Sequence, residues 1–374
     1  MLTPLLLTGL LAAAPAPAPA FNRAVTLPAG TNYRPVYVDR QRAVVEGSER
    51  LVLIPRQGAV RSVPAGRAGG AAEYTQFRAT QVLPSGQVQS VRLNFGTCGA
   101  EVWNGSGKLA ALAGDFRRAL SCDAPGEYLL SLNFNPAGSR LVTADRGAGL
   151  RLWDAGTGKL LGAQQGGYDS VQFRPDGNFL VAASSTDAGQ QLELWRSDLS
   201  RRISALQLPR ACLYGMSRFA VDNERVAFAC QDDLRVWNWR RGDVQTFTRS
   251  YPAETPEDAP VLYGDFLAHN DNTGGVTLWN LKTGQRLVEI KAPQGTQVTD
   301  VAFAPGGFLT LALSDGSVQR YDAHRGGKYL GTQQVFPKSD GTQWLLLTFS
   351  GNWGQMLVLE NQSGQVRVVE LPGG

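Results

Sequence analysis

Four tryptophans, Trp153, Trp195, Trp237 and Trp279, follow one another at intervals of 42 residues, and one further step of that length lands on Tyr321. An aromatic held in register over five units calls for a fold assembled from copies of one supersecondary unit. The surrounding text agrees: LRLWDAGTGKLL at 150–161, LELWRSDLSRRI at 192–203, LRVWNWRRGDVQ at 234–245, VTLWNLKTGQRL at 276–287 and VQRYDAHRGGKY at 318–329. In Leu150-Arg151-Leu152-Trp153 and Val276-Thr277-Leu278-Trp279 apolar and polar residues alternate up to the aromatic, the period of a half-buried strand. Five residues beyond it stands Gly158, Gly242, Gly284 or Gly326, where a hairpin corner takes a positive φ. Each unit reads as strand, turn, strand.

Weaker copies flank this set. AEVWNGSGKLAA at 100–111 puts Trp103 at the repeat position, LVLIPRQGAVRS at 51–62 puts Ile54 there, and MLVLENQSGQVR at 356–367 puts Leu359 there. The mean spacing is about 44 residues, the length of a four-stranded propeller blade. A second marker, F-x-P-x-G, recurs at Phe134 to Gly138, Phe173 to Gly177 and Phe303 to Gly307, where a buried strand ends and the chain turns. With strands lettered a to d along each unit, this marker falls at the a–b turn and the repeat aromatic near the end of strand c. The expected fold is all-β: a propeller of about eight four-stranded blades, forming a single domain over 21–374. Seven blades is the alternative, reached if Arg23 to Leu27 completes a shared terminal unit with the C-terminal strands. The 43 glycines and 20 prolines suit a chain with so many tight turns.

The stretch Asp315-Gly316-Ser317-Val318-Gln319-Arg320-Tyr321-Asp322, with Trp153-Asp154 and the Thr-Gly turns at Thr157-Gly158 and Thr283-Gly284, resembles the WD-repeat β-propeller family over roughly residues 33 to 371. The Gly-His dipeptide of that family is absent, because the two histidines, His269 and His324, lie elsewhere, and its Asp-His-Ser/Thr-Trp relay cannot be assembled. The chain is therefore identified as a divergent member. Eight-bladed propellers with quinoprotein-type repeats are similar in blade number and in the Thr-Gly turns, but place tryptophan after the turn, whereas here it comes before.

Residues 1–20, MLTPLLLTGLLAAAPAPAPA, form a short apolar run and a small-residue tail, read as a signal peptide or leader cut before Phe21. This implies an exported protein, periplasmic or extracellular, and no later segment is apolar for long enough to make a transmembrane helix. Such a compartment suits the four cysteines. Three pairings are open, and chain proximity favours Cys212 with Cys230 inside one blade and Cys98 with Cys122 across neighbouring blades.

Net charge is +4 and the basic residues are spread thinly, which gives nucleic-acid binding little support. Catalytic constellations are absent: no C-x-x-C, no G-x-S-x-G elbow and no phosphate-binding glycine loop. No cofactor is expected. Asp145, Asp187, Asp232, Asp233, Asp271 and Asp315 fall in b–c turns, where aspartate bonds its own backbone; a ring of them, or His269 in its loop, could hold Ca²⁺ or another metal. Tyr214, Tyr263, Trp239 and Trp353 stand out of register as candidate aromatic platforms, with Trp239 expected to be exposed beside Arg240 and Arg241, and 251–260, YPAETPEDAP, breaks the blade rhythm as an acidic loop. Cations in the c–d and a–b turns make the opposite end of the disc the candidate binding face, centred on Trp239, Arg240, Arg241, Arg202, Lys282 and Arg325. The functional expectation is a monomeric, non-enzymatic binding or scaffold module for a protein or an anionic envelope surface. The rivals are an enzyme or ligand sensor with a central-channel site, and a quinoprotein-type envelope assembly factor.

Overall fold

Short runs rich in Val, Leu and aromatic residues, each ended by Gly, Asn, Asp or Pro, pair with their sequence neighbours into four-stranded antiparallel sheets, and eight such sheets form the protein. The computed structural model describes residues 22–28, 33–47, 49–64, 75–105, 107–117, 120, 131–186, 189–209, 212, 219–248, 260–270, 275–338, 343–349, 355–361 and 363–371. The leader at 1–20 lies outside these, as do Cys122, Asp187, Tyr214, Asp271, Trp353 and 251–259. Blades 1 to 7 run over 33–64, 75–111, 131–164, 168–208, 219–248, 261–291 and 298–334. Among the described residues there is almost no helix, and a 3-10 turn at Ala323–Arg325 forms one c–d corner.

The eighth blade closes the ring with both chain ends. Leu345–Phe349, Gln355–Glu360 and Gln365–Glu370 form its first three strands, and Arg23–Thr26 pairs with the last of these, Ala24 opposite Arg367, to give strand d. Sharing a terminal unit thus yields eight blades. Without Arg23–Thr26 the outer edge of strand c in this blade would stand unpaired.

In blades 1 to 7 the repeat residue is the penultimate member of strand c: Ile54, Trp103, Trp153, Trp195, Trp237, Trp279 and Tyr321. Each packs on the preceding blade, as Trp153 does on Val91, Val102 and Phe116, and Trp279 on Ala227, Leu234 and Phe247. Leu359 requires a correction. It lies on strand b of blade 8, where it packs toward blade 1 with Tyr33, Val38 and Ile54. The equivalent position is Val369, which pairs with Met356 as Trp153 pairs with Leu141 and packs on blade 7 with Ala312 and Val318. The misassignment has a physical cause: Gly364, at φ 67°, stands five residues after Leu359 and closes a b–c turn with the chemistry of a c–d turn.

Candidate interaction rim

The c–d turns are built alike in blade after blade. Asp154 Oδ1 accepts from the backbone N–H and the hydroxyl of Thr157, both at 2.8 Å, and Asp198 Oδ1 from those of Ser200 at 3.0 and 2.6 Å. Asn280 Oδ1 accepts from the N–H groups of Lys282 and Thr283 at 2.9 and 3.1 Å. The side chain stands in for a backbone acceptor, which is why Asp or Asn so often follows the aromatic. These bonds favour the charged form, and Thr157 and Ser200 hold the carboxyls of Asp154 and Asp198 below the usual aspartate range.

Each turn also fits against the outer strand of the preceding blade. Gly158 has φ 71°, and a Cβ there would lie 1.9 Å from the carbonyl oxygen of Ala111 on blade 2. In the same way Gln164, on strand d of blade 3, donates to the Leu199 carbonyl in the blade 4 turn at 2.9 Å. The c–d turns and outer strands thus make a continuous rim.

Exposed large apolar side chains collect on this rim. Leu109, Leu160, Leu161, Ile203, Val244, Tyr329 and Leu330 all lie on strand d of their blades, and among the described residues Trp344 alone stands elsewhere. At blades 3 and 4, Leu160, Leu161 and Ile203 keep company with Lys159, Arg196 and Arg201, exposed cations that form no ion pair among the described residues. These leucines are not among the residues singled out from the sequence. The signal was two consecutive apolar residues, Leu160-Leu161, where a solvent-facing strand alternates.

The six residues expected to form the binding face lie in this zone but are already engaged. Arg202 bonds Glu193 at 3.0 Å, Arg241 bonds Asp243 at 3.2 Å, Lys282 bonds Asp265 at 2.7 Å and Arg325 bonds Asp322 at 3.3 Å. Arg240 lies 3.7 Å from Glu224 and stacks over the Trp239 ring at 5.2 Å. Trp239 is half-buried, which corrects the expectation of an exposed anchor. Its ring packs on Phe179 at 5.5 Å, and the buried Arg174 guanidinium lies 4.8 Å from Phe179 and 4.9 Å from Trp239. This stack ties blade 4 to blade 5. Tyr263 likewise accepts from the Gly306 N–H at 2.7 Å and packs on Phe303, bridging blades 6 and 7.

At the other end of the disc the carboxylates are spent on structure. Asp145 accepts from the Gly147 and Ala148 N–H groups and pairs with Arg151 at 2.9 Å, Asp233 pairs with Arg235, and Asp315 accepts from the Ser317 N–H and hydroxyl. Asp232 is exposed. His269 is a buried residue of strand b in blade 6 rather than a loop residue, and no group of three or more His, Cys, Asp or Glu able to hold a metal occurs among the described residues. Cys212 is joined to Cys230 by a disulfide; Cys98 is also disulfide-bonded, and its expected partner lies outside the described residues. No described helix is long and apolar enough to cross a membrane.

No family model matches the chain. Over 149 residues, 39% of this chain and 16% of the relative, it is 23% identical to U3 small nucleolar RNA-associated protein 21 of Saccharomyces cerevisiae. Over 136 residues, 36% of this chain and 22% of the relative, it is 30% identical to Telomerase Cajal body protein 1 of Homo sapiens. The chain thus spans less than a quarter of the length of either. Among solved structures it is similar to the Dos1 propeller, with a TM-score of 0.69 at 12% identity, covering 94% of this chain and 96% of that one. The C-terminal WD40 domain of Sif2 gives 0.62 at 16% identity, covering 94% and 99%. The chain has the β-propeller fold that WD40 domains share, as its divergent WD-type repeats imply. The names of the two relatives, nucleolar and Cajal-body, overturn the expected export, and the periplasmic or extracellular location is withdrawn with it. The Cys212–Cys230 bridge stands on the structure of the propeller alone.

Proposed function

We propose that this propeller is a binding scaffold whose protein partner sits on the outer rim of blades 3 and 4. The observation that carries the reading is the joint exposure of Leu160, Leu161 and Ile203 beside Lys159, Arg196 and Arg201, which form no ion pair among the described residues. Contiguous apolar surface rimmed by charge marks interaction sites. Apolar contacts supply affinity there, and the cations select an acidic partner segment and steer its approach. The WD-repeat architecture supports a scaffold role in general, since a rigid disc presents turns from many blades at once.

The test is capture from the native source on immobilised protein, comparing wild type with Leu161→Asp/Arg201→Glu and with Arg241→Glu. The double variant is expected to lose the captured partner while Arg241→Glu keeps it, and wild-type capture should weaken as salt rises. A partner that stays with the double variant and leaves with Arg241→Glu places the contact elsewhere. Salt-sensitive retention on anionic vesicles with no protein captured would move the reading to a charged surface.

A further inference from the structure

Strand a of each blade is innermost, and the a strands of blades 1, 2 and 3 touch one another in turn. Among blades 1, 2 and 3 these inner strands leave a cavity of about 300 Å³, lined by Arg34 and Val36 of blade 1, Ala79 and Thr80 of blade 2, and Leu132 and Phe134 of blade 3. That volume lies at the lower end of the range for small-molecule sites. Three features mark the cavity as built.

The wall is formed by irregular strands. Strand a of blade 1 slips register between Pro35 and Tyr37, and strand a of blade 2 between Arg78 and Gln81. Inside the second slip Ala79 has φ 52°, a left-handed conformation that alanine adopts at a cost, and Thr80 Oγ1 and Ser90 Oγ are left buried without partners. Bulges that re-aim side chains, and strain retained in the native state, concentrate at ligand sites.

The charge in the cavity is held in place from behind. Glu46, 3% exposed, forms an ion pair with Arg34 Nε at 2.7 Å and accepts from the Thr80 N–H at 2.9 Å. Both carboxylate oxygens are engaged, and the guanidinium, about half exposed, meets Glu46 through Nε. That grip leaves the Nη1 and Nη2 edge, whose two parallel N–H groups match a carboxylate. Arg78, exposed on the neighbouring strand, adds positive potential.

The third feature is that Val36, Leu132 and Phe134 line the same cavity as Arg34, with the polar Gln81 and Asn133 among them. We propose that this cavity binds a carboxylate carried on a short apolar body, with Arg34 as the anion receptor and Glu46 as its positioning residue. The same chemistry is offered by a free small acid and by the C-terminus of a peptide ending in an apolar residue.

Calorimetry on the full chain with 4-phenylbutyrate, its neutral amide, a tetrapeptide ending in Phe with a free carboxylate, and the same peptide amidated separates these sources. At least one carboxylate form is expected to bind saturably and at least about tenfold more tightly than its amide. The tighter of the two carboxylates identifies the source. Arg34→Gln should weaken that binding by roughly tenfold or more, and Leu132→Trp, which fills the cavity without touching the charge, should abolish it. Arg241→Gln, far from the channel, should leave it unchanged. Absence of saturable binding by either carboxylate up to about 10 mM, equal binding of acid and amide, or full binding by folded Arg34→Gln overturns the proposal.

Discussion

In blade 4 the indole N–H of Trp195 donates to Glu193 at 2.8 Å, and the same carboxylate takes the Tyr168 hydroxyl at 2.9 Å and Arg202 at 3.0 Å. Burial and that carboxylate push the Tyr168 phenol up, so it stays a donor. In blade 3 the Trp153 N–H reaches Thr143 Oγ1 at 3.2 Å while its ring packs on Phe116. In the two blades that meet at the closure, 8 and 1, the repeat position holds Val369 and Ile54, buried aliphatics with no polar handle. There the chain ends take over: Arg23–Thr26 pairs into blade 8, the Leu27 N–H donates to Gly364 O at 2.8 Å, and the Tyr33 N–H to Asn361 Oδ1 at 3.1 Å. Where an aromatic with a hydrogen-bonding end fixes register locally, a blade can be built from one continuous segment. In blade 8, where it is missing, register comes from pairing across the whole length of the chain.

Removing the repeat side chain should separate the two regions most. Trp153→Ala deletes a fully buried ring and is expected to cost about 3–5 kcal/mol, against about 2 kcal/mol for Val369→Ala, read as shifts of the urea midpoint. Equal losses would mean that the aromatic anchor adds nothing over an aliphatic one. The disulfide comes next. It closes a separation of 18 residues, from the connection leading into blade 5 to the b–c turn of that blade, so Cys212→Ser should cost about 3 kcal/mol by the chain-entropy account, with the aromatic blades losing protection before the seam does. The smallest effect is at the turns. Asp154→Ala should cost under about 1 kcal/mol. Because the folded carboxyl titrates below its unfolded value, Asp154 stabilises above about pH 4, and its contribution is lost as pH falls through the lower folded value. The difference between wild type and Asp154→Ala should therefore shrink over that acid range, and a difference that grows there would contradict the turn chemistry.

The regular blades were legible in the sequence because their signals are local: the tryptophan, the Asx turn and the glycine all fall within a dozen residues. The seam was misplaced by one strand because nothing around Leu359 distinguishes a b–c from a c–d turn, and only the pairing of Arg23–Thr26 with residues far along the chain decides it. The candidate rim was half legible. The cations at 202 and 282 could be read as a basic face, but their partners could not: Glu193 reaches Arg202 across a strand pair and Asp265 meets Lys282 from another turn, so charge was seen without its neutralisation. The inner cavity left no linear trace, since its walls come from three blades and its key bond joins Arg34 to Glu46 across a hairpin.

Closure of the ring by the N-terminal strand is the claim on which blade count, register and rim all depend. Its most direct test is oxidative trapping of Ala24→Cys/Arg367→Cys, directly opposed residues in the closing pair, followed by peptide mapping. The account predicts one intramolecular crosslink between residues 24 and 367 with the Cys212–Cys230 bridge intact. A chain that remains unlinked at these positions while otherwise folded would contradict it.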